Sequence, residues 1–370
     1  MSLSSYFRQV AHSIAYSSKP KICDDAAAWA VKRGIKIDEV YPPIYDEIAP
    51  IAALDRAAQA ELLIHRDSLI RPQSFFPIEG ATIRGQVGFL ILPDGQFCMQ
   101  GNWHRPCLTE HPLYRRLLPP RRRNLKGDWY SLLSLWGKEY YHWLHDVLPR
   151  LNTVLRHLPP GTRFLIHSDP SRYQLDSLRA LGIDSARIEP QPESIDSHVE
   201  CLWYATPLGH STFSSGPALR DLADHLLLHY GIQRSIKPRR RIYISRRNAA
   251  RRRLENEEKL LPLLTLFNFD IHCLETLGFR EQMELFADCA VASGPHGAGF
   301  TNIIFAPEGA RLIEICGDAE NPCYYVMANQ MGLRFSRAKA DLLFCNDPTA
   351  NMAISPSALT KAFDALNTSE

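Results

Sequence analysis

The amino-acid sequence predicts an α/β protein of two facing units with a cleft between them. Three observations predict it. From residue 130 onward, short apolar strands alternate with helical stretches, the pattern of parallel sheets covered on both faces. A polar, proline-bearing connection, "IQRSIKPRRR" (232–241), divides that alternation into two halves. The chain has 370 residues, enough for two cores of ordinary size.

Composition narrows the class. Hydrophobic residues make up 45% and charged residues 22%, values of a folded globular chain. Lys and Arg total 42 against 40 Asp and Glu, so any electropositive surface is local and a general polyanion binder is disfavoured. The nine cysteines are scattered, with no C-x-x-C pair, which predicts reduced thiols in a cytoplasmic protein. The N-terminal segment lacks the apolar core of a signal peptide, and no apolar run approaches the ~20 residues of a spanning helix. A soluble protein is expected; peripheral attachment at the inner membrane face is compatible with this. No signature of oligomeric state is present.

Residues 1–235 form the first unit. Its first ~130 residues are proline-rich, irregular and β-rich. Within them, 82–104 has the pattern of a β-hairpin turning at Asp94-Gly95. "KEYYHWLHDVLPRLNTVLRHL" (138–158) has helical periodicity that Pro149 must kink or divide. Then come a strand at 163–167, a helix at 173–183, a strand at 198–205, and a helix at 217–231 opened by Pro217 and closed by Gly231. The second unit, 236–345, has strands at 242–244, 269–274, 289–293 and 311–316. Its clearest helix is 279–290, with Phe279, Met283, Phe286 and Ala290 on one face. Residues 346–370 are a C-terminal helix and tail.

Three segments carry chemistry. The first puts eight arginines into residues 239–253, while the whole chain carries only +2. The arginines at 246–253 follow a strand, where ligands of open α/β sheets bind, and guanidinium groups there suit phosphate oxygens. Asn256 is placed to cap the next helix, with Glu257 in its first turn. A solvated charged face and a nucleic-acid surface are the competing readings. The second segment, "VASGPHGAGFTNIIFAPEGARLIEI" (291–315), is strand, glycine-rich turn, helix and strand. Gly297 and Gly299 let backbone approach an anion, His296 can donate to phosphate, and Glu314 can accept from ribose hydroxyls or pair with an arginine. The third is "YYHWLHDVLPRL" (140–151). There His142, His145 and Asp146 fall on one side of a helix, as a general base for a hydroxyl or, alternatively, as ligands of a hydrolytic metal.

In this order, the segments resemble glycosyltransferase family 61. The likeness runs from the aromatic-His-Trp-Leu-x-Asp-x-Leu-Pro-Arg-Leu element at 141–151 to "LIEI" at 315. It implies a GT-B architecture of two facing Rossmann-like domains, with the second holding a nucleoside-diphosphate sugar, and an inverting transfer to a hydroxyl of a glycan or lipid-linked glycan. By that resemblance Arg246, Arg251, Arg252 and the loop of His296, Gly297 and Gly299 take the diphosphate. Asp146 is the base, with His142 as neighbour or rival, and Asn256 and Glu257 hold the arginine loop. Lys138 and Glu139 stand where the family commonly has an asparagine. The lack of an anchor resembles the bacterial branch, associated with surface-polysaccharide synthesis. The sequence has no D-x-D motif, so no metal and no cofactor are expected. A nucleic-acid-binding module and a metal-dependent hydrolase are the alternatives.

Overall fold

The computed structural model describes residues 21–42, 72–98, 121–209, 213–317, 321–343, 347 and 349–364. Residues 99–104 of the expected hairpin segment, Cys107, Cys345 and residues 365–370 of the tail lie outside these.

Among the described residues, the first half forms a ten-stranded mixed sheet. Its strands are β1 (Ile22–Cys23), β2 (Asp38–Tyr41), β3 (Gln73–Glu79), β4 (Thr82–Arg84), β5 (Phe89–Ile91), β6 (Phe97–Cys98), β7 (Arg121–Ser131), β8 (Arg163–His167), β9 (Ile188–Gln191) and β10 (Ile195–Ala205). The helices are α1 (Ala26–Val31), α2 (residues 140–154), α3 (Arg172–Ala180) and α4 (Gly216–Tyr230). The expected turn joins β5 and β6, with Gly95 at φ +82°.

Strand β10 unites the β-rich lead with the α/β part. It begins at Ile195, before the expected 198, and is long enough to pair along both edges. One edge runs antiparallel to β3 and β4; the other runs parallel to β7, after which β8 and β9 continue in parallel. The described residues of the first ~130 therefore include strands that extend the same sheet. Helix α4 starts at the Ser215 cap, with Pro217 in its first turn, and ends at Gly231 in the left-handed conformation.

The second half is a parallel sheet of five strands: β11 (Arg240–Ile244), β12 (Asp270–His272), β13 (Cys289–Pro295), β14 (Arg311–Cys316) and β15 (Arg334–Lys339). Their spatial order is β12-β11-β13-β14-β15. Between and after them lie α5 (Glu257–Leu266), α6 (Phe279–Ala287), α7 (Cys323–Gln330) and α8 (Pro356–Asp364), with a small ladder of β16 (Asp341–Leu342) and β17 (Met352–Ala353). Helix α6 stops at Ala287, so Ala290 belongs to β13 and not to the helical face expected of it.

Tyr243, Leu260, Leu264, Ile313, Leu359 and Phe363 pack one face of this sheet under α5 and α8. On the other face Ile242, Met283, Phe286 and Ile303 join Leu151, Leu222 and Leu226 of the first half in one apolar cluster. The halves thus share buried surface, and Tyr140 Oη donates to Asn302 Oδ1 across it at 2.6 Å.

Candidate functional site

The second sheet reverses its strand order between β11 and β13: the chain builds outward to β12 on one side and to β14 and β15 on the other. Outside the carboxyl ends of such a pair lies the ligand crevice of open α/β sheets. Ser245 and Arg246 leave β11 there, and His296 and Gly297 leave β13. Gly294 adopts φ +153°, and a Cβ on it would stand 2.5 Å from the Ile244 carbonyl oxygen, so only glycine lets the two strands close. Arg246 lies over Gly297, where a Cβ would come within 2.0 Å of Nη1. Its Nη2 donates to the Arg251 carbonyl at 2.9 Å. Burial and the Arg252 charge pull the Arg246 pKa below its usual value. A cleft of about 700 Å³ opens beside it, lined by Tyr140, Tyr173, Arg246, Leu274, Glu275 and Gly299 among others.

The arginine loop is held from two sides. Glu257 is buried and accepts from Ser245 Oγ at 2.6 Å, with Arg247 Nε 3.4 Å away. Asn256 stands at the start of α5 but its side chain does not cap that helix. It bonds instead to the Ile354 backbone, Nδ2 donating at 2.8 Å and Oδ1 accepting at 3.3 Å. The Glu255 amide donates to the Met352 carbonyl, the Met352 amide to the Arg253 carbonyl, and Arg252, at φ +55°, donates its amide to the Thr349 carbonyl. The guanidinium groups therefore divide. Arg246 lines the cleft, whereas Arg251 and Arg252 do not; Arg251 offers its carbonyl to Arg246, and Arg252 lies near it in charge. Arg240 pairs with Asp288, Arg241 with the Phe267 carbonyl, and Arg253 with Glu255, which breaks up the continuous basic face a nucleic-acid surface would need.

His296 and Glu314 meet at 2.5 Å through Nδ1 and Oε1, while Glu314 Oε2 accepts from Arg337 at 3.0 and 3.1 Å. Glu314 is fully buried; burial opposes its charge, but His296 and Arg337 outweigh it and hold the carboxyl below its ordinary value. Both oxygens are engaged, the arrangement of the arginine-paired alternative and not of a ribose acceptor. Tyr324 Oη donates to the Gly297 carbonyl at 2.8 Å and fixes the loop from below.

In α2 the middle turn, Trp143–Val147, is a π-helix, with Leu148 N–H reaching the Trp143 carbonyl. Pro149, in the first turn of the α-helical stretch Leu148–Val154, cannot donate, and the wider turn absorbs the missing bond. The expected kink is thus a bulge at the candidate site. It brings His142 Nδ1 to 2.7 Å from Asp146 Oδ2 and His145 Nδ1 to 2.8 Å from Oδ1. Burial raises the cost of charge on Asp146, yet the two histidine bonds outweigh it and keep the carboxyl below its usual value. An ionised Asp146 accepts from both imidazoles, so each carries its proton on Nδ1. The side chain of His145 is 0% exposed and that of His142 18%, so His142 alone presents an accessible ring. A hydrolytic metal would need the three to converge on one point; both imidazoles turn to Asp146 instead. His145 stacks on Tyr141, and Tyr141 meets Tyr324 edge-on, linking α2 to the Gly297 loop.

The sequence reading missed Tyr324, Arg337 and the cleft residues Tyr173 and Leu274–Phe279. Tyr173 read as an ordinary position of the 173–183 helix, and the turn after β12 has no motif; Tyr324 and Arg337, the latter in the polar strand "RFSRAK" (334–339), lie in elements that the sequence pattern did not mark.

The second half is thus an open α/β sheet with a guanidinium and a glycine loop at its strand-order reversal, the place where ligands of such sheets bind. The family described as Glycosyltransferase 61 matches residues 140–313, a stretch that takes in α2, the arginine loop and the glycine loop. The chain is similar to EGF domain-specific O-linked N-acetylglucosamine transferases of animals. It is 29% identical to that of Drosophila melanogaster over 153 residues, 40% of this chain and 29% of the relative. The Mus musculus protein is 28% identical over 141 residues, 36% of this chain and 27% of the relative. For Xenopus laevis the values are 27% over 173 residues, 44% and 33%. The chain thus spans a third or less of the length of these relatives.

Proposed function

We propose that the protein is an inverting glycosyltransferase that moves a sugar from a nucleoside diphosphate to a hydroxyl of a glycan or lipid-linked glycan. The observation that carries this is Arg246 lying over the Gly297 loop at the strand-order reversal, facing a cleft of about 700 Å³. The match of residues 140–313 supports the same reading. A GT-B arrangement is part of this reading, supported by the resemblance and by the presence of two sheets.

In the proposed reaction the acceptor oxygen attacks the anomeric carbon in line, the new C–O bond forms, and the bond to the diphosphate breaks with its electron pair leaving on phosphate oxygen. Arg246 is already fixed where that negative charge develops, so stabilising it needs little reorganisation. His142 is the base: Nδ1 is committed to Asp146, which leaves Nε2 to take the hydroxyl proton. Asp146 orients that ring and stabilises the imidazolium. His296 completes the diphosphate pocket, positioned by Glu314. With arginine in this role the proposed reaction needs no metal.

N-acetylglucosamine, named in the relatives, is the first donor sugar to try, and a bacterial-type role in surface-polysaccharide synthesis at the cytoplasmic membrane face sets the acceptor panel. The test is release of nucleoside diphosphate from a panel of sugar nucleotides with glycan acceptors, with and without EDTA, and the anomeric configuration of the product by NMR. A retained configuration, or activity lost in EDTA and restored by Mn²⁺, would contradict the mechanism.

A further inference from the structure

A second crevice lies away from the donor cleft, and three buried polar atoms without a hydrogen-bond partner belong to residues that line it: Tyr130 Oη, Ser134 Oγ and Arg150 Nε. Its position follows the rule that places the donor cleft. In the first sheet β10 lies on one side of β7, with β8 and β9 on the other and all four parallel, so the strand order reverses between β7 and β10. The crevice is walled by the carboxyl ends of these two strands and by α2, from which Asp146 also lines it.

The chemistry of the wall selects a ligand. Ile83, Leu133, Val147 and Leu202 make much of it apolar. Asp146 is the acid nearest in sequence, one helical turn before Arg150, but its oxygens hold His142 and His145. Arg150 has no ion pair among the described residues. A guanidinium in such surroundings is electrostatically incomplete without an opposing charge. Tyr130 is 2% exposed, and burial pushes its hydroxyl pKa up against the opposing pull of the neighbouring Arg150 guanidinium, so it stays neutral, its oxygen beside Arg150 and its proton free to donate. A neutral hydroxyl ligand would satisfy Tyr130 and Ser134 but leave Arg150 uncompensated, and a cation would be repelled. A carboxylate or phosphate satisfies all three.

Building on the transferase reading, we propose that this crevice is an oxyanion subsite for the acceptor, in which Arg150 pairs with the carboxylate or phosphate of an acidic sugar while Tyr130 and Ser134 donate to it. Its inner space is small, about 50 Å³, enough for one such group. The ring stays outside, on the side of Asp146 and His142, where its hydroxyl meets the base. The preferred acceptor is therefore an acidic glycan.

The experiment titrates the full chain by ligand-observed NMR with methyl β-glucuronide, glucose 6-phosphate and methyl β-glucoside, and in parallel with nucleoside diphosphates. At least one acid should bind about tenfold or more tightly than the glucoside, as expected for a charge-assisted pair. Whichever acid binds identifies carboxylate or phosphate as the natural group. Arg150→Met should abolish the preference while leaving nucleotide binding unchanged, and Tyr130→Phe combined with Ser134→Ala should weaken the acid even if Arg150→Met does not fold. Equal binding of acids and glucoside, no binding of either acid, or a preference that survives Arg150→Met overturns the proposal. Nucleotide binding without acid preference would leave the transferase reading intact, and acid preference without nucleotide binding would remove that reading and keep the anion site.

Discussion

Arg246 rests on Gly297 so closely that a single added methyl group would displace it. A Cβ at 297 would stand 2.0 Å from Nη1 and 2.7 Å from Cζ, whereas the backbone there is extended, at φ 177°, and tolerates any residue. Gly297→Ala should therefore move the guanidinium without unfolding the loop. We expect an unfolding midpoint near wild type and nucleoside diphosphate affinity lowered about tenfold or more, the scale of one lost charge-assisted hydrogen bond. Unchanged affinity, measured by calorimetry, would detach Arg246 from the donor.

His142 and Asp146 act as a unit in this account. Either His142→Asn or Asp146→Asn should lower turnover by about 10²–10⁴-fold, the usual contribution of a positioned base. The double variant should lose little more, because the second change removes a partner of something already gone. Multiplying losses would show that the two act independently.

Glu314 supplies a stability and pH prediction. Replacing it with Gln leaves Arg337 without its counter-charge, a change that costs about 3–5 kcal/mol for a buried pair. The folded-state pKa values of Glu314 and Asp146 both lie below their unfolded values. Their contributions are therefore complete above the unfolded values, about 4.3 and 3.9, and disappear as pH falls through the lower folded values. Denaturant unfolding of wild type and Glu314→Gln should show a constant gap from neutral pH to about 5 and a shrinking one below about 4. A gap that widens on acidification would reverse the sign assigned here.

The clamp on the arginine loop is testable at Asn256. Its two bonds to Ile354 tie the loop to the segment before α8. Asn256→Ala should cost about 1–3 kcal/mol, the range for unsatisfied buried groups. It should also weaken nucleotide binding, because Arg246 leans on the Arg251 carbonyl in that loop. Loss of stability alone, with affinity intact, would make the clamp purely structural.

Much of the candidate site's geometry was legible because it depends on local pattern. Strand ends, glycines in a turn and a His-x-x-x-Asp spacing are read directly, and they place Arg246, Gly297, His142 and Asp146. What escaped were relationships fixed only by packing. Tyr324 meets both Gly297 and Tyr141 because two halves of the chain share a core, which periodicity does not show. The partner of Asn256 is 98 residues away, so the cap expected from its position lost to a tertiary bond. Glu314 pointed inward by strand register, and once fully buried it needed His296 and Arg337 more than solvent or sugar. The π turn was foreshadowed by Pro149, but a proline signals only that a bond is missing and not how the helix accommodates it.

The most direct test of the central claim is calorimetric titration of wild type and Arg246→Ala with a panel of nucleoside diphosphates. The account predicts that one of them binds wild type with one-to-one stoichiometry and that the variant, still folded, binds it about tenfold or more weakly. Absence of binding to wild type at millimolar concentration, or equal binding by the two proteins, would contradict a donor diphosphate held by Arg246.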